Sequence, residues 1–192
     1  MRAQERATLE PLNAGAPISY FIAEGEKDSA FRPGDRQLAI WALEAWGRSS
    51  GGKLRFEAGD ARGAMIRVNW VAAGGGQYGE MMPFVLNGRR GAAVFIRPDT
   101  DGLGRDISRL ARQDPLLRET IVYLTCLHEL GHALGLSHTS AYADIMYAFG
   151  YGGDIPAYFG RYRQQLSTRD DIAKVSGLSA DDVNRLRALY SR

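Results

Sequence analysis

All three histidines of this 192-residue chain lie within one eleven-residue stretch, His128-Glu129-Leu130-Gly131-His132-Ala133-Leu134-Gly135-Leu136-Ser137-His138. Scattering along the sequence would rarely place them so. Residues i and i+4 of a helix sit about one turn apart and roughly 40° around the axis. His128 and His132 can therefore aim two imidazoles at one ion from a single rigid face. A third ligand cannot share that face. Gly135 can take a positive φ, end the helix and turn the chain back, so that His138 approaches from another direction. Three neutral nitrogens suit Zn²⁺ and leave a fourth position open for water. Glu129 is the neighbour of His128, so its side chain lies to one side of both ligands. There it can hydrogen-bond that water, accept its proton and pass it to a leaving amine.

Two plainer readings compete. The histidines could belong to the surface or core of an ordinary amphipathic helix, and a bare H-E-x-x-H does arise by chance. Gly135 and His138 make the full pattern far more specific. A closed structural zinc site needs four protein ligands. The sequence has no fourth histidine and only one cysteine, Cys126. That single cysteine also excludes an internal disulfide and any cysteine-based zinc finger.

The remaining chain bounds the fold. Its length fits one domain over 1–192, with a cleft between an upper lobe (about 13–138) and a lower lobe (about 139–192). Hydrophobic residues make up 45% and charged residues 24%, which fits a globular chain and excludes a disordered one. The net charge is +2 with no basic run or stripe, so nucleic acid is not an expected partner. No stretch approaches the roughly 18 apolar residues of a membrane span, and no membrane association is expected. The opening Met1-Arg2-Ala3-Gln4-Glu5-Arg6 lacks the apolar core of a secretory signal. Either that export route is not used or the numbering begins after a removed signal.

The first dozen residues read as a loose lead-in. Strands are expected at Ile18–Ala23, Leu54–Glu57, Ala64–Val71, Tyr78–Leu86 and Ala92–Ile96. In the third, Ile66, Val68 and Trp70 alternate with Arg67 and Asn69, so one face is buried. Pro83 cannot donate to a ladder, which puts the fourth strand at an edge. Gly74-Gly75-Gly76 reads as a flexible connection, and 97–106 as an Asp- and Gly-rich loop. Pro33-Gly34-Asp35 opens a helix with Leu38, Trp41, Ala42 and Ala45 at helical spacing, ending near Gly47. A long helix runs from about Pro115 to Leu134. Irregular chain follows, marked by Gly150, Gly152, Gly153, Pro156 and Gly160. A last helix begins at Ser179, with Asp182 completing a capping box and Val183, Leu186 and Tyr190 as its apolar stripe.

H-E-x-x-H-x-x-G-x-x-H followed by a methionine turn resembles the metzincin pattern of zinc metalloproteases. The methionine is Met146, in Asp144-Ile145-Met146-Tyr147, eight residues after His138. The short gap and the Met-Tyr pair look like the matrixin (matrix-metalloprotease-like) branch. The closing segment from Leu178 to Tyr190 also resembles matrixins. The resemblance implies an α/β (α+β) zincin-like fold: a twisted, mostly parallel five-stranded sheet with one antiparallel edge strand, two long helices and a small C-terminal lobe with a final helix. It implies His128, His132 and His138 as ligands of one catalytic zinc, Glu129 as general base, and Met146 as a hydrophobic floor beneath the metal. The alternative for Met146 is ordinary core. Position 148 is alanine, where some relatives carry a tyrosine ligand, so Tyr147 is not read as one.

The chain departs from vertebrate-type matrixins in several respects. Cys126 lies about 200° round the helix from His128 and points away from the zinc, a small core residue. No histidines remain for a second, structural zinc. Thr139 replaces the usual serine after the third histidine, and Ala148 the usual proline after Met-Tyr. Asp99, Asp101 and Asp106 form a candidate calcium cluster, against the plainer reading of solvated carboxylates. The implied activity is endopeptidase cleavage by a zinc-activated water, with a monomer acting on a peptide or protein. The substrate would add along the edge strand Tyr78–Leu86. A pocket beside the zinc would be bounded by 124–127 and by Phe149 and Tyr151, or these aromatics simply pack the lower lobe. Two other readings stay open: a non-catalytic, zinc-stabilised peptide-binding module, against which Glu129 speaks, and a hydrolase of some non-peptide amide. By the resemblance the location is secreted or extracytoplasmic.

Overall fold

A computed structural model describes residues 10–25, 28–72 and 78–191. The expected glycine connection at 74–76 and most of the lead-in lie outside these residues. The element order is β1 (Ile18–Ile22), α1 (Asp35–Ser49), β2 (Phe56–Ala58), β3 (Ile66–Trp70), β4 (Gly79–Leu86), β5 (Arg89–Ile96), α2 (Arg105–Gln113), α3 (Pro115–Ala133), α4 (Ile155–Arg163) and α5 (Ala180–Leu189). The five strands form one sheet in the order β2-β1-β3-β5-β4. All neighbours are parallel except β4 on β5, so the antiparallel strand is the expected edge.

The alternation of β3 is as its sequence dictates: Ile66, Val68 and Trp70 are buried, while Arg67 and Asn69 are half-exposed. β5 buries Ala92, Val94 and Ile96 on the same face. Long α3 packs against β4, β5 and α1. In α1 the aromatic anchor is Trp46, fully buried, with its indole N–H donating to the Leu127 carbonyl at 2.9 Å. Trp41 is only half-buried and stacks under Arg169.

The buried Arg118 of α3 ties three segments together. Its guanidinium pairs with the buried Asp35 carboxylate at the start of α1 and donates to the Ala30 and Pro98 carbonyls at 3.2 and 3.3 Å. Asp114 starts α3 by accepting from the Leu116 and Leu117 amides, and Pro115 follows where its missing N–H costs nothing.

Two expectations fail locally. The 97–106 loop gives way to α2 from Arg105, and the supposedly irregular chain after 150 contains α4. Asp154 caps α4 through the Ala157 amide, and Pro156 sits in its first turn; there a proline is a start rather than a break. Among the described residues no helix is long and apolar enough to cross a membrane.

Candidate active site

The end of α3 is a Schellman turn. Gly135 has φ +102°, its N–H donates to the His132 carbonyl, and the Leu136 N–H donates to the Gly131 carbonyl. A side chain at 135 would suffer the positive φ and meet the Pro11 backbone at 3.1 Å. The turn also delivers the Leu136 carbonyl to His132 Nδ1, 2.8 Å away. His128 Nδ1 lies 2.6 Å from the Ile145 carbonyl. A carbonyl only accepts, so each Nδ1 carries the proton and each Nε2 is left as a bare lone pair.

Those lone pairs converge. His138 Nε2 lies 3.2 Å from His128 Nε2 and 3.1 Å from His132 Nε2. The Nδ1-protonated tautomers leave His128 and His132 without a donor for these contacts, so a cation is what would hold the three together. A tetrahedral zinc with nitrogens about 2.0–2.1 Å away spaces its ligands about 3.3 Å apart, so the residues fit the ion. Among the described residues this is the single group of three or more His, Cys, Asp or Glu side chains with ligand spacing. Burial and the neighbouring rings push His128 down to about 3 and His132 to about 4. Burial also lowers His138. The imidazoles are thus neutral and ready to ligate at neutral pH.

The methionine turn lies below. Met146 is fully buried. A Cβ on Gly131 would collide with its Sδ, so glycine at this point of α3 is the space the methionine uses. The turn is stitched to the third histidine's strand by Thr139 N–H to Met146 O at 2.9 Å and Ala148 N–H to Thr139 O at 3.2 Å. From beneath, buried Asp182 of α5 accepts from the Ile145 and Ser179 amides at 2.8 and 2.9 Å, and Ser179 Oγ donates to Asp144 Oδ1 at 2.7 Å. Burial raises Asp182, and these hydrogen bonds oppose the rise. Ile145 is therefore held by its N–H on Asp182 while its carbonyl orients His128.

Glu129 is buried at the cleft wall, 7% exposed. Burial and the charge of Glu80 raise its carboxyl to about 8, opposed by Arg97. The cleft has a volume of about 460 Å³ and is bordered by Tyr78, Gly79–Met81 of β4, the histidines, Glu129 and a pocket wall. Of the expected helical side, 124–127, Leu124 and Thr125 line that pocket together with Phe149, while Cys126 and Leu127 face the core. Tyr151 does not line it and is 66% exposed. Tyr158 and Phe159 of α4 line it instead; the sequence reading missed both because it missed their helix. Phe149 packs edge-on against Tyr158, with ring centres 4.9 Å apart. Cys126 is buried, away from the cleft. Of the candidate calcium carboxylates, Asp101 pairs with Arg112, and Asp106 with Arg109 at 3.4 Å. They are not assembled into a metal-ligand group.

An α/β sheet with one antiparallel strand at its edge, a helix presenting two imidazoles, a glycine turn bringing in a third and a buried methionine below are the features of the metzincin-type fold of zinc metalloproteases. The matrixin family model matches residues 16–191, and the chain belongs to that family. Two solved structures of myroilysin are similar to it. One is 18% identical, with 98% of this chain and 84% of that chain covered and a TM-score of 0.46. The other is 16% identical, with 100% and 98% covered and a TM-score of 0.37.

Proposed function

We propose that the protein is a zinc-dependent endopeptidase in which His128, His132 and His138 hold one catalytic Zn²⁺ and Glu129 is the general base. The observation that carries this reading is the convergence of three histidine Nε2 atoms, two of them fixed as bare lone pairs, beside a buried carboxylate in one cleft. Bound zinc supplies Lewis acidity, polarising a carbonyl oxygen and acidifying water. The protein does the rest. The Ile145 and Leu136 carbonyls fix the two helical imidazoles in the ligating tautomer. Glu129 takes a proton from the attacking water and returns it to the leaving amine. A divalent charge nearby favours its ionised form, against the burial that raises it.

Substrate is bound as an added strand on β4. The Arg97 N–H bonds to the Tyr78 carbonyl at 2.9 Å. By antiparallel alternation, the backbone groups of Gly79, Met81, Pro83 and Val85 then face away from β5. Pro83 sits where no ladder donor is needed, and Gly79 and Met81 offer theirs to a peptide. A substrate side chain enters the pocket between Leu124, Thr125, Phe149 and Tyr158. Residues 1–192 act as one catalytic domain, with the cleft between lobes of about 13–138 and about 139–192.

The test is zinc content together with cleavage of denatured protein, for wild type and Glu129→Ala. About one zinc per chain is expected in both, with cleavage abolished in the variant and by chelation. Full zinc without cleavage of any protein would instead support a peptide-binding module.

A further inference from the structure

The position of Glu129 is set by what residue 79 lacks. We propose that Gly79 is a positioning residue for the base: its missing side chain is the space that the Glu129 carboxylate occupies. This inference rests on the reading of Glu129 as general base.

A Cβ at position 79 would lie 2.6 Å from Glu129 Cγ, 2.9 Å from Oε1 and 3.0 Å from Cδ. Carbon contacts are comfortable at about 3.5–4.0 Å, so something must move. Helix α3 cannot retreat, because on its far side a Cβ on Gly131 would already meet Met146 and the Trp46 ring. Strand β4 is held next to Gly79 by the Arg97 N–H bond to the Tyr78 carbonyl at 2.9 Å and by the Tyr78 ring, which packs 5.8 Å from Phe149 and 5.6 Å from Phe159. The remaining freedom is rotation of the Glu129 side chain, which takes the carboxylate off its place. Gly79 also faces its N–H and C=O outward, by the alternation already derived. A peptide laid on β4 thus passes over the same residue that admits the base, and one glycine sets the spacing between scissile bond and carboxylate.

The experiment compares wild type, Gly79→Ala, Glu129→Ala and the double variant on dye-quenched denatured casein, with zinc content and thermal midpoint measured for each. Displacing a catalytic group by about 1 Å costs about 100-fold. Gly79→Ala is expected to lose about that factor in kcat, with KM within about twofold, zinc retained and the midpoint unchanged. The double variant is expected to be no slower than Glu129→Ala, because a residue acting only through the base has no effect once the base is gone. A readout without turnover accompanies it. In zinc-free protein labelled with ¹³C-glutamate, the carboxyl resonance absent from Glu129→Gln should shift in Gly79→Ala while the others stay.

The inference is overturned if kcat of Gly79→Ala stays within about threefold of wild type, or if KM rises at constant kcat, meaning that the strand moved. It is also overturned if the double variant is slower than Glu129→Ala by the full single-variant factor. Full cleavage by Glu129→Ala would remove the base reading itself. Loss in that variant with a normal Gly79→Ala would remove this inference alone.

Discussion

Replacing Glu129 by glutamine in zinc-free protein should stabilise the fold in alkali and change little in acid. The carboxyl is 7% exposed and faces Glu80, and its pKa stands at about 8 against an ordinary 4.5. The unfolded chain therefore gives up this proton first. Stability is lost as pH climbs from 4.5 and the loss is complete above 8. At 1.36 kcal/mol per pKa unit, ionised Glu129 costs the folded state up to about 5 kcal/mol. Glutamine keeps the shape and never ionises. The assay is urea denaturation in chelator, wild type against Glu129→Gln, at about pH 5 and about pH 9. Histidine protonation at the acid end affects both proteins alike and cancels in the comparison. The variants should agree within about 1 kcal/mol at the lower pH, with Glu129→Gln ahead by about 3–5 kcal/mol at the higher one. An equal gap at both pH values, or a glutamine variant weaker in alkali, would refute the argument that burial of this acid opposes folding.

Asp35→Ala leaves the Arg118 guanidinium buried with only carbonyl partners and should cost about 3–5 kcal/mol by denaturant titration. Removing both charges as Asp35→Leu/Arg118→Met should cost less than the single change. Gly135→Ala forces a positive φ on alanine against the Pro11 backbone, so a loss of about 1–3 kcal/mol is expected. Weaker zinc affinity should accompany it, because the turn aims the Leu136 carbonyl at His132. Asp182→Asn keeps the cap's size but puts a donor among backbone donors. Zinc affinity by competition with a chelating dye should fall about 10–100-fold, while Leu186→Ala, nearby and equally buried, should lower stability without that loss.

Much of this architecture could be read before any coordinates. α3 announced itself through Pro115 at its start, the His128/His132 spacing and Gly135 at its end, each a local signal. The alternation of Ile66, Val68 and Trp70 gave β3, and Pro83 gave the edge. α2 was missed although Ile107, Leu110 and Ala111 fall at helical spacing, because the Asp and Gly residues leading into it, Asp99 to Asp106, read as a loop. α4 was missed because Pro156 and Gly160 read as breakers, yet the proline lies in the first turn and the glycine on a half-buried face. With α4 went Tyr158 and Phe159 and hence half of the pocket wall. The histidine spacing showed that three ligands could converge. It could not show the contact of Gly79 with Glu129 or the hold of Asp182 on Ile145, since those join positions 50 and 37 residues apart through tertiary packing.

Cys126 sits in the middle of α3, enclosed on all sides, and burial drives its thiol well above the usual range. Only the thiolate reacts readily, so alkylating reagents can modify it only when the surrounding structure opens. It is also the molecule's sole sulfhydryl. The speed of its modification, with and without metal, would therefore clock how often the rod bearing the imidazoles breathes, a gauge that nature has installed one turn from where the chemistry happens.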